Sequence, residues 1–437
     1  MTNVKGKRVD VITLGCSKNL VDSEFLIRQF QANGIEVAHD PEKPKGEIVV
    51  INTCGFIGDA KEESIDMILQ FAQQRKRGKI KALYVMGCLS ERYFEQLQQE
   101  IPEVDKFYGK FNWKELVGEI GATYRRDLMN ERSLTTPPHY AYLKISEGCN
   151  RTCSYCAIPI ITGKHKSRSM DDLVDEATKL RDAGVKEIQM IAQDLSYYGL
   201  DLYKSHQLPQ LVERIAQIEG IEWIRLHYAY PAGFPMDLLQ VMANQPKVCN
   251  YMDIALQHAS DHMLKLMKRN VTKAQTIALI EQMRQQVPGI HLRTTFITGH
   301  PGETDQDFLE LLDFVKTMRF ERLGVFPYSH EDDTFAYKNY EDDVPDEVKQ
   351  ARADEVMALQ NGISAELNAE KVGQQMKVII DRVENDTYIG RTEFDSPEVD
   401  QEVIIAAPAQ PLAIGEFYQV TITGSEDYDL YGDVLMG

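Results

Sequence analysis

The chain has 437 residues, 43% of them hydrophobic, and a formal net charge of −19. That length and apolar content exclude a disordered or fibrous protein and predict about two to four domains. The acidic balance argues against a general nucleic-acid binder, which replaces phosphate counterions with basic residues, and leaves room for a basic protein partner.

The N-terminus, Met1 to Arg8, is polar, and no uninterrupted apolar run approaches the roughly 20 residues that span a bilayer, so a soluble, cytoplasmic protein without membrane association is expected. Arg8 to Leu14, Glu47 to Asn52 and Leu83 to Met86 read as buried parallel strands, with helical patterns such as Leu20 to Ala32 between them. This predicts a doubly wound α/β domain. Thr135, Thr136, Pro137 and Pro138 break the periodicity and mark a linker.

Strand-then-helix rhythm resumes at Tyr140, with strands predicted over Tyr142 to Ser146, Glu187 to Ala192, Trp223 to Tyr228, Tyr251 to Gln257, Leu292 to Thr298 and Leu323 to Pro327. Six βα units predict a partial barrel whose post-strand loops share one rim. A helical pattern from Asp346 to Lys371 ends at Gly373, and short strands with turns at Glu384-Asn385-Asp386 and Gly424 follow, predicting a small all-β domain. From Gln374 to Gly437 there are three basic and thirteen acidic residues, a net charge of −10.

The seven cysteines are too few and too unevenly spaced for a disulfide scaffold, which makes metal or redox chemistry the better expectation. Cys149-x-x-x-Cys153-x-x-Cys156 follows the first barrel strand. Three thiolates on one short loop can hold three irons of a 4Fe-4S cube and leave the fourth open. The alternative is a structural zinc site completed by a ligand such as His165. Cys16, Cys54 and Cys88 each stand just after a predicted parallel strand, so they converge on one crevice and predict a second three-cysteine centre; Gly15, Gly55 and Gly87 flank them. A lone cysteine there would be a small buried hydrophobe, and Cys249 is read that way.

The C-x3-C-x2-C spacing, with Tyr155 before the last cysteine, resembles the signature of the radical S-adenosyl-L-methionine superfamily. The segment Ile297-Thr298-Gly299-His300-Pro301-Gly302-Glu303-Thr304 is similar to that superfamily's glycine-containing segment near the adenosine. Tyr155, Gln193, Gln257, Arg293, Gly299 and Tyr328 are the cofactor-binding candidates; each of the polar ones serves equally well as a satisfied structural residue. No protein side chain is assigned a catalytic role, because the cofactor carries the hard chemistry.

A three-cysteine α/β domain, a radical barrel and a C-terminal β domain together resemble the methylthiotransferase family over essentially the whole chain. The resemblance implies boundaries at 6–125 for the N-terminal methylthiotransferase domain, 138–373 for the radical SAM core and 374–437 for a TRAM, OB-like domain. It also implies two 4Fe-4S clusters, one S-adenosyl-L-methionine as methyl donor and one as radical source, and an electron donor and a sulfur donor as partners. Cys156-Ala157-Ile158-Pro159, Ile161-Thr162-Gly163-Lys164-His165, Arg225-Leu226-His227-Tyr228-Ala229-Tyr230-Pro231 and Leu256-Gln257-His258-Ala259-Ser260 are similar to the branch acting on an aspartate β-carbon of small-subunit ribosomal protein twelve.

The acidic C-terminal segment independently favours a basic protein over tRNA. Lys164, His165, Lys166 and Arg168 form a local basic patch suited to a cofactor carboxylate or an aspartate. The rivals are a tRNA adenosine methylthiotransferase, a non-catalytic two-cluster electron carrier and a zinc-stapled scaffold.

Overall fold

The computed structural model describes residues 8–406 and 410–435, so the expected limits at residues 6 and 437 lie outside the described residues. The first sheet contains β1 (Arg8–Thr13), β2 (Glu36–His39), β3 (Ile48–Thr53), β4 (Ala82–Gly87) and β5 (Lys106–Phe107), all parallel, in the order 2-1-3-4-5. Every residue of β3 is buried, because helices cover both faces of the sheet and form a separate apolar core on each. The strands without a sequence signal are the half-exposed edge β2 and the two-residue β5. The chain leaves β1 for one edge and returns as β3 on its other side, so a crevice opens past the ends of these two strands.

The second sheet contains β6 (Tyr140–Lys144), β9 (Glu187–Ile191), β10 (Trp223–Ala229), β11 (Val248–Gln257), β12 (His291–Thr298) and β13 (Arg322–Pro327) in the parallel order 13-12-11-10-9-6. Between β6 and β9 a short antiparallel pair, β7 (Ser146–Glu147) and β8 (Lys166–Ser167), pinches a loop. The large apolar core lies between the sheet and its outer helices. The inner face is polar, with Glu187, Gln189, Arg225, His227 and Asp253 all buried.

The last strands, β14 (Gln375–Glu384), β15 (Thr387–Thr392), β16 (Val403–Ile405), β17 (Phe417–Ser425) and β18 (Leu430–Val434), close into a small barrel in the order 14-15-16-18-17. Closure leaves no sheet edge. The helix Asp346–Ala369 precedes it, and Gly373, at φ +88, donates its N–H to Ile422 O at 2.8 Å.

The three units interlock. The expected linker is fastened down: Thr135 N donates to Glu24 Oε1 at 2.7 Å, and Arg132 lies in close ion contact with Glu24 (2.6 Å) and Glu176 (2.9 Å). Ile379 and Phe417 of the small barrel pack on Trp223, Cys249 and Tyr251 near the starts of β10 and β11. The β15–β16 connection enters the concave side of the large sheet, where Tyr140 donates to Glu398 (2.9 Å) and Tyr251 to Asp400 (2.8 Å). Asp381, Asp395 and Asp400 are turned inward onto Arg391, Arg322 and Arg293, so part of the acidic excess stabilises the interface, while Glu384, Asp386, Glu416, Glu426, Asp427 and Asp433 face solvent. Among the described residues, no helix is long and apolar enough to cross a membrane.

Candidate metal centre

Cys16, Cys54 and Cys88 directly follow or nearly follow β1, β3 and β4, at the crevice where the strand order reverses. Gly15 has φ +90, and a Cβ there would fall 2.8 Å from Cys54 Sγ; Gly87 has φ +103, and a Cβ there would fall 2.6 Å from Thr53 O. Only glycine satisfies both the left-handed backbone and the close approach. Asn19 ties the strand ends together: its Nδ2 donates to Leu14 O and Thr53 O, both at 3.0 Å, and its Oδ1 accepts from Cys88 Sγ at 3.5 Å.

Cys16 caps the 16-residue helix Ser17–Ala32. Burial raises its thiol, but Lys18, Lys110 and the backbone N–H groups of Asn19 and Lys18 outweigh this and hold it below its ordinary value. Burial pushes Cys88 up to about 12 against the pull of Lys110, and Cys54 also rises through burial. A bound metal would favour the thiolates of Cys54 and Cys88 against that burial.

The β7–β8 pair holds Cys149, Cys153 and Cys156 within one loop, and later elements fix it. Cys149 N donates to Gly163 O at 3.1 Å, Ser154 N to Met267 O at 3.0 Å, and Ala336 N to Ser154 O at 2.7 Å, with His300 Nε2 3.0 Å from Ser154 Oγ. Two N–H groups address the sulfurs, Arg151 N at 3.4 Å from Cys149 and Arg269 Nη1 at 3.5 Å from Cys153. Such contacts tune iron–sulfur centres. The guanidiniums of Arg151 and Arg269 also lie 4.0 and 4.1 Å from the Tyr230 ring centre. Burial pushes Cys149 up to about 11 and Cys156 further.

All seven cysteines are free thiols. Three soft thiol donors in each set suit an iron–sulfur cube. Among the described residues, no three His, Cys, Asp or Glu donors converge on a single ion. His165, the fourth ligand a zinc site would need, instead places Nε2 3.1 Å from Ser167 Oγ and its ring centre 4.9 Å from that of Tyr197. Cys249 is buried with Trp223 and Tyr251, away from both sets.

The elements that carry the two sets pack on each other. The helix Cys88–Arg92 packs on the helix Ile158–Thr162 just after Cys156, and the Cys16-capped helix packs on β6. Lys61 and Arg92 clamp Glu331, beyond β13, at 2.9 and 2.8 Å. Between the sets, Lys110 Nζ lies 3.1 Å from Asp22 and 3.7 Å from Glu147, while Lys144 meets Glu147 at 2.9 Å and also contacts Asp22. This gives a buried, neutral group of two cations and two carboxylates. Burial pushes Glu147 up, but Lys144 and Lys110 overcome it and hold its carboxyl at about 2.

The six cofactor candidates separate by position. Tyr155 lies within the cysteine loop, its OH accepting from Arg269 Nη1 at 3.3 Å. Gln193 follows β9 and donates to Glu147; Gln257 ends β11 in a left-handed conformation, φ +73; Tyr328 follows β13, with its OH 2.9 Å from His330 Nδ1. Gly299 follows β12, but the space its Cβ would take is filled by Lys349 of the helix Asp346–Ala369, so that helix makes the close approach. Arg293 lies near the start of β12 and pairs with Asp400 at 3.4 Å, apart from the cysteine rim. The expected basic patch divides: Arg168 pairs with Glu176 at 2.6 Å and His165 is buried, leaving Lys164 and Lys166 exposed. Asn19, Lys110 and Arg269 carried no local sequence signal, whereas His300 stood within the glycine-containing segment.

Residues 8–109 match the model described as uncharacterized protein family UPF0004, residues 143–315 the radical SAM superfamily and residues 372–435 the TRAM domain. The ribosomal protein uS12 methylthiotransferase RimO of Bacteroides thetaiotaomicron is 65% identical over 432 residues, 99% of each chain. The RimO proteins of Phocaeicola vulgatus, at 63% over 99% of this chain and 100% of that one, and Christiangramia forsetii, at 54% over 99% and 95%, are similar over the same span. In fold, the chain resembles the radical S-adenosylmethionine methyltransferase TsrM from Kitasatospora setae (TM-score 0.55, 13% identity, 74% of this chain and 75% of that one). It also resembles the cobalamin-dependent radical enzyme OxsB (TM-score 0.52, 14% identity, 76% and 54%).

Proposed function

Because this chain belongs to the family of radical SAM methylthiotransferases that act on ribosomal protein uS12, we propose that it inserts S–CH3 at the β-carbon of an aspartate in uS12, with one 4Fe-4S cluster on each cysteine triad. It is an enzyme of the transferase class that uses an iron–sulfur cluster and S-adenosyl-L-methionine. When bound, these groups supply the hydrogen-abstracting radical and the methylthio group. A carbon without an acidic hydrogen is beyond acid–base catalysis, which is why radical chemistry is required.

The chain's own residues hold and aim these groups. Cys149, Cys153 and Cys156 hold the radical centre, and Cys16, Cys54 and Cys88 hold the sulfur-bearing one. Tyr155, Gln193, Gln257 and Tyr328 border the S-adenosyl-L-methionine, Gly299 shapes the rim through its contact with the helix beneath, and Arg293 serves the domain interface. The observation that carries the reading is the buried ionic group of Lys110, Asp22, Lys144 and Glu147, which joins the units bearing the two sets. The units run over 6–125, 138–373 and 374–437, and the solvent-facing acids of the last favour a basic protein surface over tRNA. An electron donor and a sulfur donor complete the reaction, which takes place in the cytoplasm.

Iron and sulfide counts after anaerobic purification test this, comparing wild type with a Cys16/Cys54/Cys88→Ala variant and a Cys249→Ala control. About eight irons should fall to about four in the triple variant and stay at about eight in the control. The triple variant should still release 5′-deoxyadenosine but no longer methylthiolate uS12. Unchanged iron in the triple variant, or modified tRNA with untouched uS12, would overturn the reading.

A further inference from the structure

The buried cations where the first unit meets the second have carboxylate partners. Lys110 and Lys144 hold Asp22 and Glu147, Arg132 holds Glu24 and Glu176, and Lys61 and Arg92 hold Glu331. Lys18 departs from this pattern. It stands two residues after Cys16, is 9% exposed, and its ammonium makes no hydrogen bond or ion pair among the described residues. Asp22, one turn further along the same helix, is already held by Lys110 and Lys144. A desolvated cation without a counter-ion is destabilising, and the face of the Tyr228 ring, whose centre lies 3.5 Å from Lys18 Nζ, offsets only part of that.

Tyr228 belongs to the other unit. It lies near the C-terminal end of β10, the end that carries the post-strand loops, so Lys18 reaches from the Cys16 side to the barrel. Tyr228 holds φ +64, a left-handed conformation that glycine adopts freely and tyrosine does not. Its N–H donates to the buried Asp253 Oδ2 at 3.3 Å, and the register against β11 shifts at this point. Backbone strain held by a buried partner clusters at ligand clamps. Here it coincides with the residue that seats the unpaired lysine.

We propose that Lys18 receives the carboxylate of the target aspartate and selects an acidic side chain over a nucleobase, with Tyr228 as its positioning residue. The assignment rests on the reading that the two cysteine sets act together on uS12. An aspartate's carboxylate carbon is bonded directly to its β-carbon, so gripping the carboxylate fixes the reacting C–H within one bond. The ammonium meets an opposite charge in aspartate and none in neutral adenine. On a chain of net charge −19, which otherwise repels an acidic side chain, that single contact discriminates between the two.

The test measures binding of uS12 to the anaerobically purified, cluster-loaded full chain by fluorescence anisotropy, with the target residue as aspartate or replaced by asparagine. Wild type should bind the aspartate form about tenfold or more tighter. Lys18→Met should bind the two forms equally, near the wild-type affinity for the asparagine form. Lys18→Arg, which keeps the charge, should keep a preference. Equal binding of both forms by wild type would overturn the proposal without recourse to any variant, and so would a preference that survives in Lys18→Met. A Lys18→Met loss that is the same for both forms, with lost iron or weaker binding of S-adenosyl-L-methionine, would also overturn it by assigning the lysine to the neighbouring cysteines or to the cofactor's carboxylate. Wild type that binds neither form, or that modifies tRNA in place of uS12, would instead refute the proposed function, and this assignment with it.

Discussion

Replacing Lys110 by Met tests whether the two cysteine sets are joined by a neutral buried group. Lys110 Nζ is 3.1 Å from Asp22 and 3.7 Å from Glu147, and its side chain is 3% exposed. At an effective dielectric near 20, unit charges at these spacings attract by about 4.5 to 5.5 kcal/mol each. Most of that offsets the desolvation of the lysine, so the net loss on removal should resemble that of other broken buried pairs, about 3 to 5 kcal/mol. Lys110→Met leaves Asp22 and Glu147 sharing Lys144, one negative charge in excess. Adding Asp22→Asn restores neutrality, and the double variant should recover about half the loss, a non-additivity expected only of groups in one network.

Urea unfolding of the cluster-free protein provides the assay. The chain has two tryptophans, Trp113 in the first unit and Trp223 in the second, so a Trp223→Phe background follows the first unit alone. With a slope of about 1 to 3 kcal/mol per molar, the single variant should lower the midpoint by at least about 1 M. A shift below about 0.3 M, or a double variant whose loss equals the sum of the singles, would refute the neutral-group argument.

Gly87→Ala should lower the iron content by about half, the share of one of two four-iron centres, and destabilise the first unit by more than about 2 kcal/mol, because φ +103 and the contact with Thr53 O both oppose a side chain; anaerobic iron analysis and urea titration would check this. Burial, reinforced by Arg322, pushes the Lys371 ammonium down to about 8. The unfolded chain keeps that proton up to about pH 10.4, so it binds more protons than the folded chain between about pH 8 and 10.4, and stability rises with pH across this window by about 3 kcal/mol. Relative to Lys371→Met, the wild type should gain that difference as pH rises, and a flat difference between the two would show that the lysine is solvated.

Local pattern was enough for much of this protein. Continuous apolar runs such as Ile48–Ile51 announced central parallel strands, because burial on both faces leaves no polar alternation. The C-x3-C-x2-C spacing marked a candidate metal-binding loop, since three thiols within eight residues must share one loop. The position of Cys16, Cys54 and Cys88 after successive strands was legible because a doubly wound sheet gathers its strand ends. Edge strands escaped, β5 through its brevity and β2 through its half-exposed, mixed pattern.

Tertiary structure alone decided which residues surround the two cysteine sets. Asn19 meets Cys88 across 69 positions and Lys110 meets Glu147 across 37, contacts that no local pattern encodes because they depend on how the first unit docks on the second. It also supplied neighbours that the sequence did not show: Asp400 for Arg293, Glu176 for Arg168, and Lys349 beside Gly299. Charge and glycine are readable in a sequence as capacities. Which partner uses each capacity is settled by burial, because a desolvated charge must find its counter-ion among whichever groups the fold has brought within reach.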